Sequence, residues 1–264
     1  MHHIFVNENI IDLLHKTIIL SKKDDGDNFN HLVKSLRVNV DEMVLCSVSS
    51  FELSYDYLCK VTNVTNDLVT LSIMEKTKAR ELPFAINLYQ GISKSDKLEF
   101  IIEKAVELGV RSITPVSTEY CVAKIDDKKS DRKLDRFNKI AKSAAEQSKR
   151  HIIPKVNDPI DFSDLMKKMS ASSNDSNLNY NILFYENAEG IANTRKIIEE
   201  IKEKAKSGID ICINLIIGPE GGFSANEIKL AKSSGLSILS LGERILRTET
   251  AAVTAVSIFM YELS

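Results

Sequence analysis

The segment Ile211-Cys212-Ile213-Asn214-Leu215-Ile216-Ile217 restricts the fold more than any other. It is the longest apolar run in the chain, yet far shorter than the ~18 residues of a membrane span. A strand that is apolar on both of its alternating faces is buried on both sides, which is the mark of a parallel sheet covered by helices. The surrounding sequence has the matching alternation. After Pro83 come strand Ile86–Gly91 and a helix opened by Asp96, with Glu99 three residues on as a capping box and Gly109 as its stop. Strand Ser112–Ser117 follows, then a basic amphipathic helix from about Ser130 to Arg150 and a low-complexity loop over residues 170–179. Beyond lie strand Asn181–Tyr185, helix Thr194–Lys206 ending at Gly208, strand Ile211–Ile217, helix Ser224–Ser234, strand Ser237–Leu241 and a last helix to about Tyr261. This is an α/β pattern with a mainly parallel sheet, whose ligands sit beyond the carboxyl ends of the strands.

Residues 1–76 read differently. Short runs rich in Val, Ile, Leu and Tyr (Glu42–Val48, Tyr55–Thr62, Leu68–Ile73) are separated by polar breaks such as Ser49-Ser50 and Thr65-Asn66-Asp67, which suggests a small β-barrel. The charged stretch Glu75–Pro83 reads as a linker, giving two domains, 1–76 and 77–264.

Composition bounds the chemistry. With 264 residues, 43% hydrophobic and 27% charged, the chain is ordinary globular protein rather than a disordered or fibrous one. Met1–Glu8 has no apolar signal core, so a soluble, cytoplasmic protein is expected. The four cysteines are scattered among apolar residues without a C-x-x-C pair and read as buried thiols, and the five histidines have no zinc spacing, so no metal is expected. A net charge of −2 means that any affinity for nucleic acid must come from local patches.

Two strand-to-helix loops carry the chemistry. In Gly218-Pro219-Glu220-Gly221-Gly222-Phe223-Ser224, three glycines and a proline allow backbone to approach a ligand, and Ser224 with Glu227 forms a capping box. The loop has neither the lysine of a phosphate-binding loop nor dinucleotide spacing, and Glu220 would repel phosphate, which leaves a neutral or cationic ligand. The second loop, Leu241-Gly242-Glu243-Arg244-Ile245-Leu246-Arg247-Thr248-Glu249-Thr250-Ala251, combines an apolar wall with fixed cations. Loops from successive strands make one cleft.

This pair of loops resembles the paired motif of the RsmE family, SPOUT-superfamily methyltransferases that act on N3 of a uridine in small-subunit (16S) ribosomal RNA. Lys94–Val110 resembles the family's first motif, Arg136–Arg150 its helix with Glu-Gln-x-x-Arg, and His31–Arg37 its His…Leu-Arg element; Ser35, Asp41-Glu42 and Ser95 depart from the family pattern.

The resemblance implies an N-terminal PUA-like β-barrel that binds RNA, a SPOUT domain ending in a deep trefoil knot, S-adenosylmethionine as cofactor, a homodimer, and ribosomal RNA or the small ribosomal subunit as partner. It implies cofactor contacts from Gly218, Pro219, Glu220, Gly221 and Gly222, from Leu241, Gly242, Ile245, Leu246 and Arg247, and from a third wall, Phe184, Tyr185 and Glu186. Transfer of a methyl cation to N3 requires loss of the imide proton, so a base or a cation that stabilises the uridinate is needed. Arg247 is the residue for stabilisation; Glu249 is either the base or an acid that favours its helix N-terminus. Candidate RNA contacts are His31, Lys34, Arg37, Lys94, Lys97 and Arg150. Two other readings keep the fold: a different RNA target, or an RNA-binding assembly factor without catalysis. Measurable S-adenosylmethionine binding separates an enzyme from the latter.

Overall fold

Residues 1–50, 55–78, 80–122, 130–171 and 178–264 are described by the computed structural model. They divide into two units: Met1–Glu81 with Ala145–Ile153, and Leu82–Ala144 with Pro154–Ser264.

The first unit is a six-stranded sheet built from β1 (His2–Phe5), β2 (Ile11–Asp12), β3 (Thr17–Ser21), β4 (Met43–Ser47), β5 (Tyr55–Val64) and β6 (Leu68–Lys78), in the order β1-β4-β5-β6-β3-β2. The β1–β4 pair is parallel and the others are antiparallel. Ile4, Ile18, Leu20, Val44, Val61 and Leu71 form its core with Phe29 and Leu32, which come from helix α1 (Gly26–Asn30) and the π-helical turn His31–Ser35. Each such fully buried side chain contributes about 1.5–3 kcal/mol. The expected linker begins too early: β6 runs through Glu75–Lys78, because Tyr55–Leu58 offers it a partner strand, with Tyr55 opposite Lys78. Lys76 Nζ lies 4.1 Å from the centre of the Tyr55 ring, so the charge that suggested a linker rests on an aromatic face.

Residues 145–153 complete this unit through polar contacts. The Glu81 carboxylate accepts from Arg150 Nη2 (2.5 Å) and Nε (3.3 Å) and from the backbone N–H of His151 (2.9 Å) and Ile152 (3.1 Å). His151 Nδ1 bonds Asp56 Oδ1 at 2.6 Å, Ser47 Oγ donates to the same oxygen at 2.5 Å, and His3 Nε2 meets Ser47 Oγ at 2.8 Å. All four side chains are buried. The Asp56 hydrogen bond holds the His151 ring above the ordinary histidine pKa against the opposing effect of burial, whereas burial lowers that of His3.

The second unit is a parallel sheet of β7 (Ala85–Gly91), β8 (Ser112–Ser117), β9 (Lys155–Val156), β10 (Ile160–Asp161), β11 (Leu178–Phe184), β12 (Ile211–Ile217) and β13 (Ser237–Leu239). The order is β10-β8-β7-β12-β11-β13, with β9 also on β8, and every described pair is parallel. Register is marked by a polar rung through the apolar strands. Ser112 donates to Asn87, Asn87 to Asn214 and Asn214 to Asn181, at 2.8, 3.0 and 2.8 Å.

Helices α4 (Phe162–Ala171) and α6 (Ala225–Ser233) supply Phe162, Leu165, Met166, Ile228 and Ala231 to one core cluster with Leu183 and Ile216. Helices α2 (Ser95–Glu107), α5 (Ala192–Lys206) and α7 (Thr248–Leu263) pack together, and α7 also lies on β7 and β12. The remaining helix, α3, spans Ser130–Ser148. None of the described helices is long and apolar enough to cross a membrane.

Three local expectations need correction. The N-cap of α2 is Lys94, without a side-chain hydrogen bond: its carbonyl receives the first helical N–H groups, from Lys97 and Leu98, and Glu99 pairs with Arg136 at 2.7 Å instead of closing a box with Asp96. Ser170 and Ala171 end α4, and Leu178 and Asn179 begin β11; residues 172–177 of the expected loop lie outside the described residues. Among the cysteines, Cys46 and Cys59 are buried, while Cys121 and Cys212 are only half-buried. The Ser224–Glu227 capping box is present with both of its hydrogen bonds.

A raised folded-state pKa means that His151 binds its proton more tightly in the native than in the unfolded chain. Its stabilisation is therefore complete below about pH 6.5 and is lost as pH rises through the folded value. In a His3→Gln background, which removes the opposing titration, the melting-temperature advantage of His151 over His151→Gln is expected to be larger at about pH 6 than at about pH 8.5. A gap that widens with pH would show that Asp56 does not hold the charged ring.

Candidate functional site

Because the strands of the second unit are parallel, their carboxyl ends share one edge. Ile217 of β12 stands opposite Gln90 of β7, Leu183 opposite Ile216, and Phe184 opposite Leu239. The chain adds strands on one side of β7 first and on the other side later, so the order reverses between β7 and β12, where ligands of such sheets bind.

The two glycine-bearing loops meet there. Gly91 packs so closely on the first that an added Cβ would lie 2.4 Å from Pro219 N, which only glycine permits. The fully buried Gln90 donates from Nε2 to Thr248 Oγ1 at 2.9 Å and to Gly218 O at 3.3 Å, and Thr248 Oγ1 donates to the same carbonyl at 2.6 Å. Thr194 of α5 holds the second loop by donating to Ser240 O at 2.7 Å.

Between the loops is a cleft of about 290 Å³. All thirteen residues expected to touch the cofactor line it: Phe184, Tyr185 and Glu186; Gly218 to Gly222; Leu241, Gly242, Ile245, Leu246 and Arg247. Ile217, Phe223, Ser240, Arg244, Thr248 and Ala251 line it as well. Gly242 has φ +124°, and a Cβ there would meet no atom within 4 Å, so a stretch of bare backbone faces open space. Ile245 is 84% exposed, an apolar side chain with nothing over it.

The charged groups are arranged around this cleft. Arg247 is the N-cap of α7 through its backbone, whose carbonyl accepts from Ala251 N at 2.8 Å, while its side chain makes no capping bond and is exposed. Glu249 lies in the first turn of α7; its Oε2 is buried, accepts no hydrogen bond, and faces Lys97 Nζ at 3.5 Å. Lys97 Nζ is also 3.4 Å from Glu220 Oε1, which accepts from Lys94 N at 3.4 Å. Among the described residues no cluster of His, Cys, Asp or Glu could hold a metal ion.

The expected RNA contacts scatter into different settings. His31 and Lys34 share the π-helical turn of the first unit, with Arg37 just beyond it at φ +51°; Lys34 and Arg37 are exposed. Lys94 is exposed at the α2 N-terminus, and Lys97 is drawn into the cleft by two carboxylates. Arg150 must be reassigned: it is 4% exposed and held by Glu81, so its guanidinium is a structural cation and not a phosphate contact. Gln90 is the functional-site residue that sequence reasoning missed. Its signal was a polar side chain at the end of an apolar strand, directly before the close-packed Gly91.

Residues 80–260 match the family model of the RNA methyltransferase domain. The chain is 35% identical to ribosomal RNA small subunit methyltransferase E of Bacillus subtilis (strain 168), over 90% of this chain and 88% of that one. It is 31% identical to the protein of the same name from Mesomycoplasma hyopneumoniae (strain 232), over 96% of each chain. Among solved structures, a ribosomal RNA small subunit methyltransferase E from Neisseria gonorrhoeae bound to S-adenosyl methionine superposes with a TM-score of 0.79 at 27% identity, covering 99% of this chain and 97% of that one.

Proposed function

Since the chain belongs to the ribosomal RNA small subunit methyltransferase E family, we propose that it transfers a methyl group from S-adenosylmethionine to N3 of a uridine in 16S ribosomal RNA, in the cytoplasm. The observation that carries this reading is the cleft at the carboxyl edge of the sheet, built from both motif loops and lined by Arg247, with Glu249 next to it through the lining Lys97.

The residues present fit the cofactor. The open backbone at Gly242 and the apolar Leu241, Ile245 and Leu246 suit a flat, weakly charged adenosine, and Phe184 and Tyr185 close the third side. Glu186 and Glu220 set negative charge beside a ligand that is cationic at sulfur. S-adenosylmethionine supplies the methyl group on a sulfonium; the rest of the task falls to the chain's own residues. They must fix the acceptor in line, take the N3 proton and stabilise the resulting uridinate.

Arg247 stabilises that anion with a forked donor on a rim where its backbone is already committed to the helix cap. Glu249 takes the proton. An acid in this position favours the helix in any case; this one is also held beside the cleft, its buried Oε2 facing the lining Lys97 Nζ at 3.5 Å.

Four finer readings go with this one. The first unit, Met1–Glu81 with Ala145–Ile153, is a PUA-like barrel that binds RNA, with His31, Lys34 and Arg37 positioning phosphates and leaving specificity to other contacts; Lys94 of the second unit is a further phosphate contact. The second unit, Leu82–Ala144 with Pro154–Ser264, is the SPOUT methyltransferase domain. Its C-terminal segment is a trefoil knot: the chain leaves β13 at the edge of the sheet and returns past β11 to pin Thr248 on Gly218. The enzyme is a homodimer, which would cover apolar side chains such as Tyr261, 79% exposed on α7.

Mass mapping of ribosomal RNA from cells with and without the protein is expected to lose one N3-methyluridine in the 16S RNA when the protein is absent; an unchanged map would refute the assignment. Arg247→Lys keeps the charge and the backbone cap but loses the fork. Single-turnover methylation at saturating cofactor should fall about 100- to 1000-fold, with melting temperature and cofactor affinity near wild type. Near-normal turnover would remove Arg247 from the mechanism. Light scattering at micromolar concentration should return twice the chain mass, and one chain mass with full activity would exclude the dimer.

A further inference from the structure

We infer that Lys97 is a positioning residue for the methyl-transfer site, an inference that rests on the proposed function and assigns a role to the ammonium that lines the cleft among the described residues. Lys97 stands in the first turn of α2, where the helix macrodipole disfavours a cation. Two acids from elsewhere in the fold offset that cost: Glu220 of the glycine loop at 3.4 Å and Glu249 of α7 at 3.5 Å. The three side chains are only 20–27% exposed, so the attraction is less screened than at an open surface.

The ammonium therefore joins three segments that all reach the cleft: the helix following β7, the loop following β12, and the N-terminus of α7. Its most specific service is to Glu249. The buried Oε2 of that carboxylate accepts no hydrogen bond, and Lys97 is the cation that compensates for its burial. Held on this side, the carboxylate cannot turn away from the acceptor base. Without Lys97, an uncompensated buried oxygen would drive the side chain towards water and away from N3. No proton passes through Lys97; the N3 proton goes to Glu249, and Lys97 fixes where that acceptor stands.

A phosphate contact is the competing role for a lysine in this motif. The local charge argues against it. One ammonium between two carboxylates leaves the cluster net negative, which repels a phosphate.

The test compares the near-isosteric apolar Lys97→Met, the shorter polar Lys97→Gln and the conservative Lys97→Arg in the full-length protein, with 16S RNA and S-adenosylmethionine as substrates. Both neutral variants should lose about 100-fold in kcat, the order expected for a displaced catalytic group. The KM for each substrate should stay within about twofold, because neither substrate is held by Lys97. Lys97→Arg should recover most of kcat. Adding Glu249→Gln to Lys97→Met should cost little more, since both changes damage one unit. The slope of log RNA affinity against log salt should not change.

A salt slope reduced by about one, with kcat retained, would make Lys97 a phosphate contact and overturn the proposal. A lower melting temperature with normal saturating turnover would overturn it too, as a purely structural role. If wild-type protein forms no N3-methyluridine in the same assay, the proposed function fails and takes this inference with it. Wild-type activity alongside fully active neutral variants overturns the inference alone.

Discussion

Three segments that are distant in sequence converge on the side-chain amide of Gln90. It reaches the end of its own strand at Gly91, the carbonyl of Gly218 after β12, and the hydroxyl of Thr248 at the start of α7. A buried amide nitrogen is costly unless it is bonded, so the strand ends and the final helix are held in one arrangement or the Gln90 Nε2 group is stranded. The absence of a Cβ at Gly91 is the steric counterpart of this bond, since the Pro219 ring occupies the space a side chain would need. The cleft and the start of α7, with Arg247 and Glu249, depend on this junction.

The charge arrangement follows from the same geometry. Glu186 and Glu220 line the cleft, and the exposed arginines Arg244 and Arg247 line it from the second loop. A reaction that brings a sulfonium together with a nucleobase anion needs both signs within a few ångströms without mutual cancellation. Lys97 keeps two of the acids from repelling each other, and the helix cap made by the Arg247 backbone leaves its guanidinium uncommitted.

Much of the second unit was legible in the sequence because periodicity and punctuation agreed. Ile211–Ile217 is a strand with the expected bounds, and the Ser224–Glu227 cap forms as written. The residues expected to hold the cofactor share one cleft because motif spacing placed them at strand ends, and parallel strands bring those ends together. What could not be read depended on partners far away in the chain. Glu75–Lys78 looked like a linker because its strand pairing is supplied by Tyr55–Leu58. Arg150 looked like an RNA contact because nothing local announces Glu81, and nothing local announces the two acids beside Lys97, which lie more than a hundred residues downstream. Asp96 looked like a cap because local spacing cannot tell a first-turn acid from an N-cap.

The membership of residues 145–153 in the first unit has a consequence for the protein as it is being made. The first 81 residues leave the ribosome with the carboxylates of Asp56 and Glu81 lacking the His151 and Arg150 that accompany them in the finished fold. Those partners emerge roughly 70 residues later, a delay on the order of 4–14 s at ordinary elongation rates. The nascent N-terminal unit therefore lacks the partners that would offset burial of these acids when it is first synthesised; the two carboxylates stay hydrated until a piece of chain arrives that lies within the sequence span of its neighbour.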